Sequence, residues 1–125
     1  MPGKVVDASV IAAMAFEEPG AEQAEALMDG SDLAAPSFLA YELTNVARKK
    51  ALVYPQRLED IERALREALR LDIRSIEVDH LAVLELALGT GLTTYDASYL
   101  YLARTLGLPL VTFDQRLLAA IRGPS

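Results

Sequence analysis

Cysteine is absent from the 125 residues, which excludes disulfides, thiolate nucleophiles and cysteine-ligated zinc, and fits a reducing compartment. Histidine occurs once, at His80. A Ser-His-Asp triad would have to use that residue, and general-base chemistry otherwise falls to carboxylates or to a metal. No apolar run approaches the ~20 residues that span a bilayer. The first residues carry one lysine and then acids at Asp7 and Glu17, not the basic and apolar pattern of a signal peptide. These absences point to a cytoplasmic protein with no membrane partner. Basic residues are also scarce: 12 Lys and Arg against 18 Asp and Glu leave a net charge of −6. A general phosphate-binding protein carries the opposite sign. Either nucleic acid is not the partner, or the negative charge is gathered around bound cations and the basic residues are grouped elsewhere.

The chain does have enough apolar material for a real core. Hydrophobic residues make up 52% of it, with no low-complexity run, so residues 1–125 read as a single ordered domain. Lys4-Val5-Val6-Asp7 is a short apolar run ending in an acid, and reads as a buried parallel strand leading through Ala8-Ser9 into a helix. Glu18-Pro19-Gly20 interrupts, and a second helix is expected from about Ala21 to Met28. Leu33-Ala34-Ala35 is a weak strand, and Pro36-Ser37 a helix start. In that helix Leu39, Leu43 and Val46 share one face while Glu42, Asn45 and Lys49 share another.

A long helix is expected from Pro55 to about Leu71, with Leu58, Ile61, Leu65, Ala68 and Leu69 inward and Glu59–Arg63 and Glu62–Arg66 paired outward. Ile73–Val78 alternates as a strand does, Asp79 caps a helix to Leu88, and Gly89-Thr90-Gly91 breaks it. A helix beginning at Asp96, a strand from Leu110 ending at Asp114, a last helix from Gln115 to Ile121 and a fraying tail at Gly123-Pro124-Ser125 complete the reading. Strands and helices alternate throughout. That order implies an α/β fold, a three-layer α/β/α sandwich around a parallel sheet.

Asp7, Glu42, Asp96 and Asp114 each have an ordinary explanation taken singly: three helix caps and a surface residue. Taken together they read differently. Two acids that end parallel strands lie on the same sheet edge, where α/β proteins place ligand-binding groups. Four carboxylates gathered there would repel and raise one another's pKa unless a cation bound among them. Oxygen-only ligands favour Mg²⁺ or Mn²⁺, and such a site suits attack of an activated water on a phosphodiester.

Val6-Asp7-Ala8-Ser9, Glu42-Leu43-Thr44-Asn45-Val46, Thr94-Tyr95-Asp96-Ala97-Ser98-Tyr99 and Thr112-Phe113-Asp114 resemble, in order and over nearly the whole chain, the PIN domain. More narrowly, they resemble the VapC-type ribonuclease toxins of toxin–antitoxin pairs. The resemblance implies an endoribonuclease with an acidic pocket for one or two Mg²⁺ or Mn²⁺ ions. Asp7 and Asp96 would be the main ligands, Asp114 would complete the cluster, and Glu42 would help hold metal and orient the attacking water. Ser9, Asn45 and Thr112 would be supporting polar residues. A homodimer, an RNA substrate and a cognate antitoxin are implied as well. The net negative charge departs from what an RNA-cleaving enzyme suggests.

Arg48-Lys49-Lys50 is the only run of three basic residues. It suits either an RNA backbone or the negative end of its helix. Tyr95, Tyr99 and Tyr101 offer rings for base stacking, although the i, i+4 spacing of the first two favours packing or a dimer face. His80, next to the capping Asp79, reads as structural or exposed. One competing reading is a binding protein of the same fold, acting in antitoxin-dependent transcriptional repression. The complete acid set argues against it, because a pure binding module has no reason to assemble four acids. A phosphatase of the haloacid dehalogenase type needs a second acid two residues after the nucleophile, where Ser9 stands. No glycine-rich turn follows the first strand, so a dinucleotide-binding fold is a poor fit too.

Overall fold

The computed structural model describes residues 3–123; Pro124 and Ser125, expected to fray, lie outside them. Four strands, β1 (Gly3–Val6), β2 (Asp32–Pro36), β3 (Ile73–Ile76) and β4 (Leu110–Val111), form one sheet in the order β3-β2-β1-β4. All pairings are parallel, with Val5 opposite both Ala34 and Leu110, and Val6 opposite Val111. Val5 and Val6 are fully buried. A strand covered on both faces has no use for alternation, so its residues form a continuous apolar run.

The chain builds outward from β1 to β3 and then returns to place β4 on the other side of β1. Helices α1 (Ala8–Ala15), α2 (Ala21–Met28), α3 (Leu39–Val53) and α4 (Leu58–Leu69) pack on one another as one layer. In the second layer, α6 (Thr94–Leu106) packs against α5 (His80–Thr90), α7 (Gln115–Arg122) and the central strands. This is the expected three-layer sandwich. The reversal of strand order falls between β1 and β4, which leaves a crevice at their C-terminal ends. Asp7 and Asp114 both follow strands that end there.

Several elements depart from expectation. Thr93, not Asp96, caps α6, because its hydroxyl accepts the Asp96 backbone N–H at 3.1 Å. Asp96 therefore sits in the first turn with its carboxylate spared from capping. The strand before Asp114 is only two residues long. The stretch read as one helix from Pro55 opens as a 3-10 turn over Pro55–Arg57 before α4 begins. On α4, Ile61 and Ala68 are buried, but Leu58 and Leu69 are 47% and 49% exposed, so the inward stripe is narrower than five residues. Neither expected i, i+4 pair forms there. Arg63 instead reaches back to Asp60 at 3.6 Å, an i, i+3 contact on a solvated face. Helix α5 runs through Gly89 and Thr90 and stops only at Gly91, whose φ of 76° is the left-handed conformation that terminates a helix cheaply only in glycine. Asp79 caps α5 as expected, accepting from the backbone N–H of Leu81 and Ala82, and His80 is exposed.

Candidate active site

The corner between β1 and β4 is built by short-range hydrogen bonding. Asp7 stands at the N-cap position of α1 in extended conformation, but its carboxylate makes no capping bond. Its backbone N–H instead donates to the Val111 carbonyl at 3.0 Å, extending the β1–β4 ladder by one rung. The side chain is 6% exposed. Burying a carboxylate costs several kcal/mol unless donors compensate. Here two do: Ser9 Oγ at 2.7 Å and Thr112 Oγ1 at 2.8 Å, both on Oδ2.

Each hydroxyl has one proton and spends it on Asp7. Their lone pairs then accept from the next loop: Phe113 N–H donates to Ser9 Oγ at 3.0 Å and Asp114 N–H to Thr112 Oγ1 at 2.9 Å. Asp114 Oδ1 in turn accepts from the backbone N–H of Arg116 and Leu117 at 2.9 and 3.1 Å, capping α7. One connected network thus fixes Asp7, Ser9, Thr112 and Asp114. The ordinary capping explanation holds for Asp114, and it leaves Oδ2 without a protein donor among the described residues.

Glu42 and Asp96 come from opposite helical layers. Glu42 lies in the first turn of α3, half-buried, and its Oε1 accepts the hydroxyl proton of the fully buried Tyr99 on α6. Burial pushes the Glu42 carboxyl up to about 7, with the charges of Asp7 and Asp96 adding to the rise and the Tyr99 hydrogen bond opposing it. Asp96 is raised as well, first by burial and then by Asp114 and Asp7, while Thr93 and Arg116 pull it down. Glu42 thus feels Asp7 and Asp96, and Asp96 feels Asp114 and Asp7, so the four acids share one electrostatic neighbourhood. They do not close into a cage: among the described residues, no group of three His, Cys, Asp or Glu side chains is close enough to be a ready-made metal site.

The donor set nevertheless fits a hard divalent cation. It offers carboxylate oxygens only, it carries like charges that a cation would neutralise, and Asp7 and Asp114 each keep one oxygen without a protein donor among the described residues. Asn45, expected to support the site, is exposed one turn beyond Glu42 and is not tied into the network. Lys50 leaves the basic run to pair with Glu18 and to lie over the Phe16 ring, while Arg48 and Lys49 are exposed.

Three participants were not legible as site residues: Thr93, Arg116 and Tyr99. For Tyr99 the sequence did carry a clue. A tyrosine on the apolar side of a helix buries a hydroxyl that needs a partner, and an acid is a natural one.

The fold and this acid-lined sheet edge agree with a family match: residues 4–123 fit the PIN domain, and the chain belongs to that family. It is 35% identical over 119 residues to Ribonuclease VapC3 of Pyrobaculum aerophilum, an alignment covering 90% of each protein. A shorter stretch of 41 residues is 56% identical to Exonuclease VapC9 of the same organism, covering 33% of this chain and 31% of that relative. The crystal structure of PAE2754 from Pyrobaculum aerophilum superposes with a TM-score of 0.77 at 33% identity, over 94% of this chain and 78% of that one.

Proposed function

We propose that the chain is a metal-dependent endoribonuclease, the toxic member of a VapBC-like toxin–antitoxin pair, using Mg²⁺ or alternatively Mn²⁺. The observation that carries this is the meeting at one sheet edge of four carboxylates, two of which, Glu42 and Asp96, are raised by burial and by the charges of their acidic neighbours. Such an arrangement is costly to the fold unless a cation is meant to occupy it. The names of the relatives, a ribonuclease and an exonuclease, support nuclease chemistry.

On this reading Asp7, Asp96 and Asp114 would hold the cation, with Glu42 assisting. When bound, the cation supplies Lewis-acid stabilisation of the phosphate charge and activation of the attacking water. Ser9 and Thr112 hold the Asp7 carboxylate in one orientation and leave its Oδ1 for ligation. Glu42, held through Oε1 by the Tyr99 hydroxyl, would orient the attacking water. The same reading carries an RNA substrate, a cognate antitoxin, a homodimer and a cytoplasmic setting. No helix among the described residues is long and apolar enough to cross a membrane.

The purified protein is expected to cleave RNA only with Mg²⁺ or Mn²⁺, and Asp7→Asn or Asp96→Asn to abolish cleavage. Full activity in EDTA, or in both variants, would sink the metal mechanism. Expression of the chain alone is expected to arrest growth, and co-expression of the neighbouring gene to relieve the arrest; robust expression without arrest overturns the toxin role.

A further inference from the structure

The two acids that the Asp7 network does not fix, Glu42 and Asp96, belong to different helical layers, and something must set the distance between them. Phe38, the N-cap of α3, and Glu42 lie one turn apart, linked by the Glu42 N–H donating to the Phe38 carbonyl at 3.2 Å. Tyr95 and Tyr99 lie one turn apart on α6, with Asp96 between them. The two turns interlock. The Phe38 ring meets Tyr95 edge-on at 5.1 Å between centroids and Tyr99 edge-on at 5.7 Å. The Tyr99 hydroxyl then reaches past Phe38 to Glu42 Oε1. Tyr99 is fully buried, whereas Tyr95 is 59% exposed, so Tyr99 is the inner anchor and Tyr95 the outer edge.

We infer that Tyr99 is a positioning residue of the site: held edge-on by Phe38, it tethers Glu42 of α3 to the helix that carries Asp96. Edge-to-face rings hold their relative orientation more firmly than shapeless apolar contact does. A charge-assisted hydrogen bond from a buried hydroxyl adds direction to that hold. The tether works on the distance between two acids on separate layers, a distance that no sheet hydrogen bond controls. It also uses one oxygen of Glu42 and leaves Oε2 without a protein donor among the described residues. The functional half of this inference rests on the nuclease reading; the tether itself does not.

Tyr99→Phe keeps the ring and removes only the hydroxyl. Manganese affinity, followed by the loss of the free-ion electron paramagnetic resonance signal, is expected to fall about tenfold, in line with the loss of a residue that orients a metal ligand. The kcat for RNA should fall by a similar factor with KM unchanged. A purely structural role would lower the melting temperature and leave manganese affinity and kcat within twofold, and that result overturns the proposal. If Tyr99→Phe does not fold, Phe38→Leu serves instead, with about a threefold loss of manganese affinity expected and no change overturning it.

A cycle of Tyr99→Phe and Glu42→Ala, measured by urea unfolding in EDTA, tests the tether without metal or RNA. Non-additivity of about tenfold in the unfolding constant is expected, and additive effects overturn the tether. If wild type neither binds manganese nor cuts RNA while the cycle is non-additive, the nuclease reading and the functional half fail and only the tether survives.

Discussion

The two halves of the acid site are held in different ways. The Asp7 half is a closed circuit in which Ser9 and Thr112 donate to one carboxylate oxygen while accepting from the loop that delivers Asp114. The Glu42–Asp96 half faces it from two helices, with carboxyls raised by burial and by like charge. The first half pays for its buried charge with hydrogen bonds. In the second the cost is left standing in the metal-free chain. A site built this way keeps two carboxylates fixed, Asp7 and Asp114, and leaves two others whose energy a bound cation would lower.

The sharpest test of that contrast is Asp96→Asn. It should lower cleavage by about 100-fold or more, yet raise the melting temperature of the metal-free protein, because the substitution removes a charge disfavoured by burial and by Asp114 and Asp7. A thermal scan in EDTA beside an RNA cleavage assay gives both readings, and a fall in melting temperature would mean that Asp96 is not under repulsion.

Thr112→Val should act the opposite way on the first half. It strips a donor from Asp7 and an acceptor from the Asp114 N–H, at a cost of about 1–3 kcal/mol in urea unfolding. Ser9→Ala breaks a comparable pair of bonds, but at a half-buried residue, and is expected to cost less.

The pH dependence separates the halves more finely. Glu42 binds its proton more tightly when folded, with a pKa of about 7 against an ordinary 4.5. Its contribution is therefore fully present below about pH 4.5 and is lost as pH rises through about 7. Urea midpoints in EDTA should fall across that window, the fall should be muted in Glu42→Gln, and added Mg²⁺ should restore stability at the alkaline end by mass action. The smallest effect belongs far from the site: Asp60→Asn, which removes the exposed partner of Arg63, should change stability by no more than a few tenths of a kcal/mol.

Much of this was legible in the chain. Apolar runs ending in acids marked β1 and the approach to Asp114, and the alternation of elements implied parallel strands whose C-termini share an edge. Asp79 and Asp114 announced themselves as caps. Other features were not legible because they depend on competition between neighbours. Thr93 and Asp96 are both capping residues by type, and which one caps is decided by where the chain turns into α6. The charges on α4 allow both i, i+3 and i, i+4 pairs, and only the observed side-chain geometry selects Asp60 for Arg63.

The sequence by itself determined the layers, the parallel sheet and the identity of the four acids, because strand and helix periodicities and the chemistry of side chains are local properties. The tertiary structure decided how those acids stand toward one another. Ser9 and Thr112 are 103 residues apart and meet on the Asp7 carboxylate; Glu42 and Tyr99 are 57 residues apart and meet across two helical layers. Hydrogen bonds and repulsion act through space over a few ångströms, so only the packed chain can say which carboxylate is satisfied and which is held at a cost.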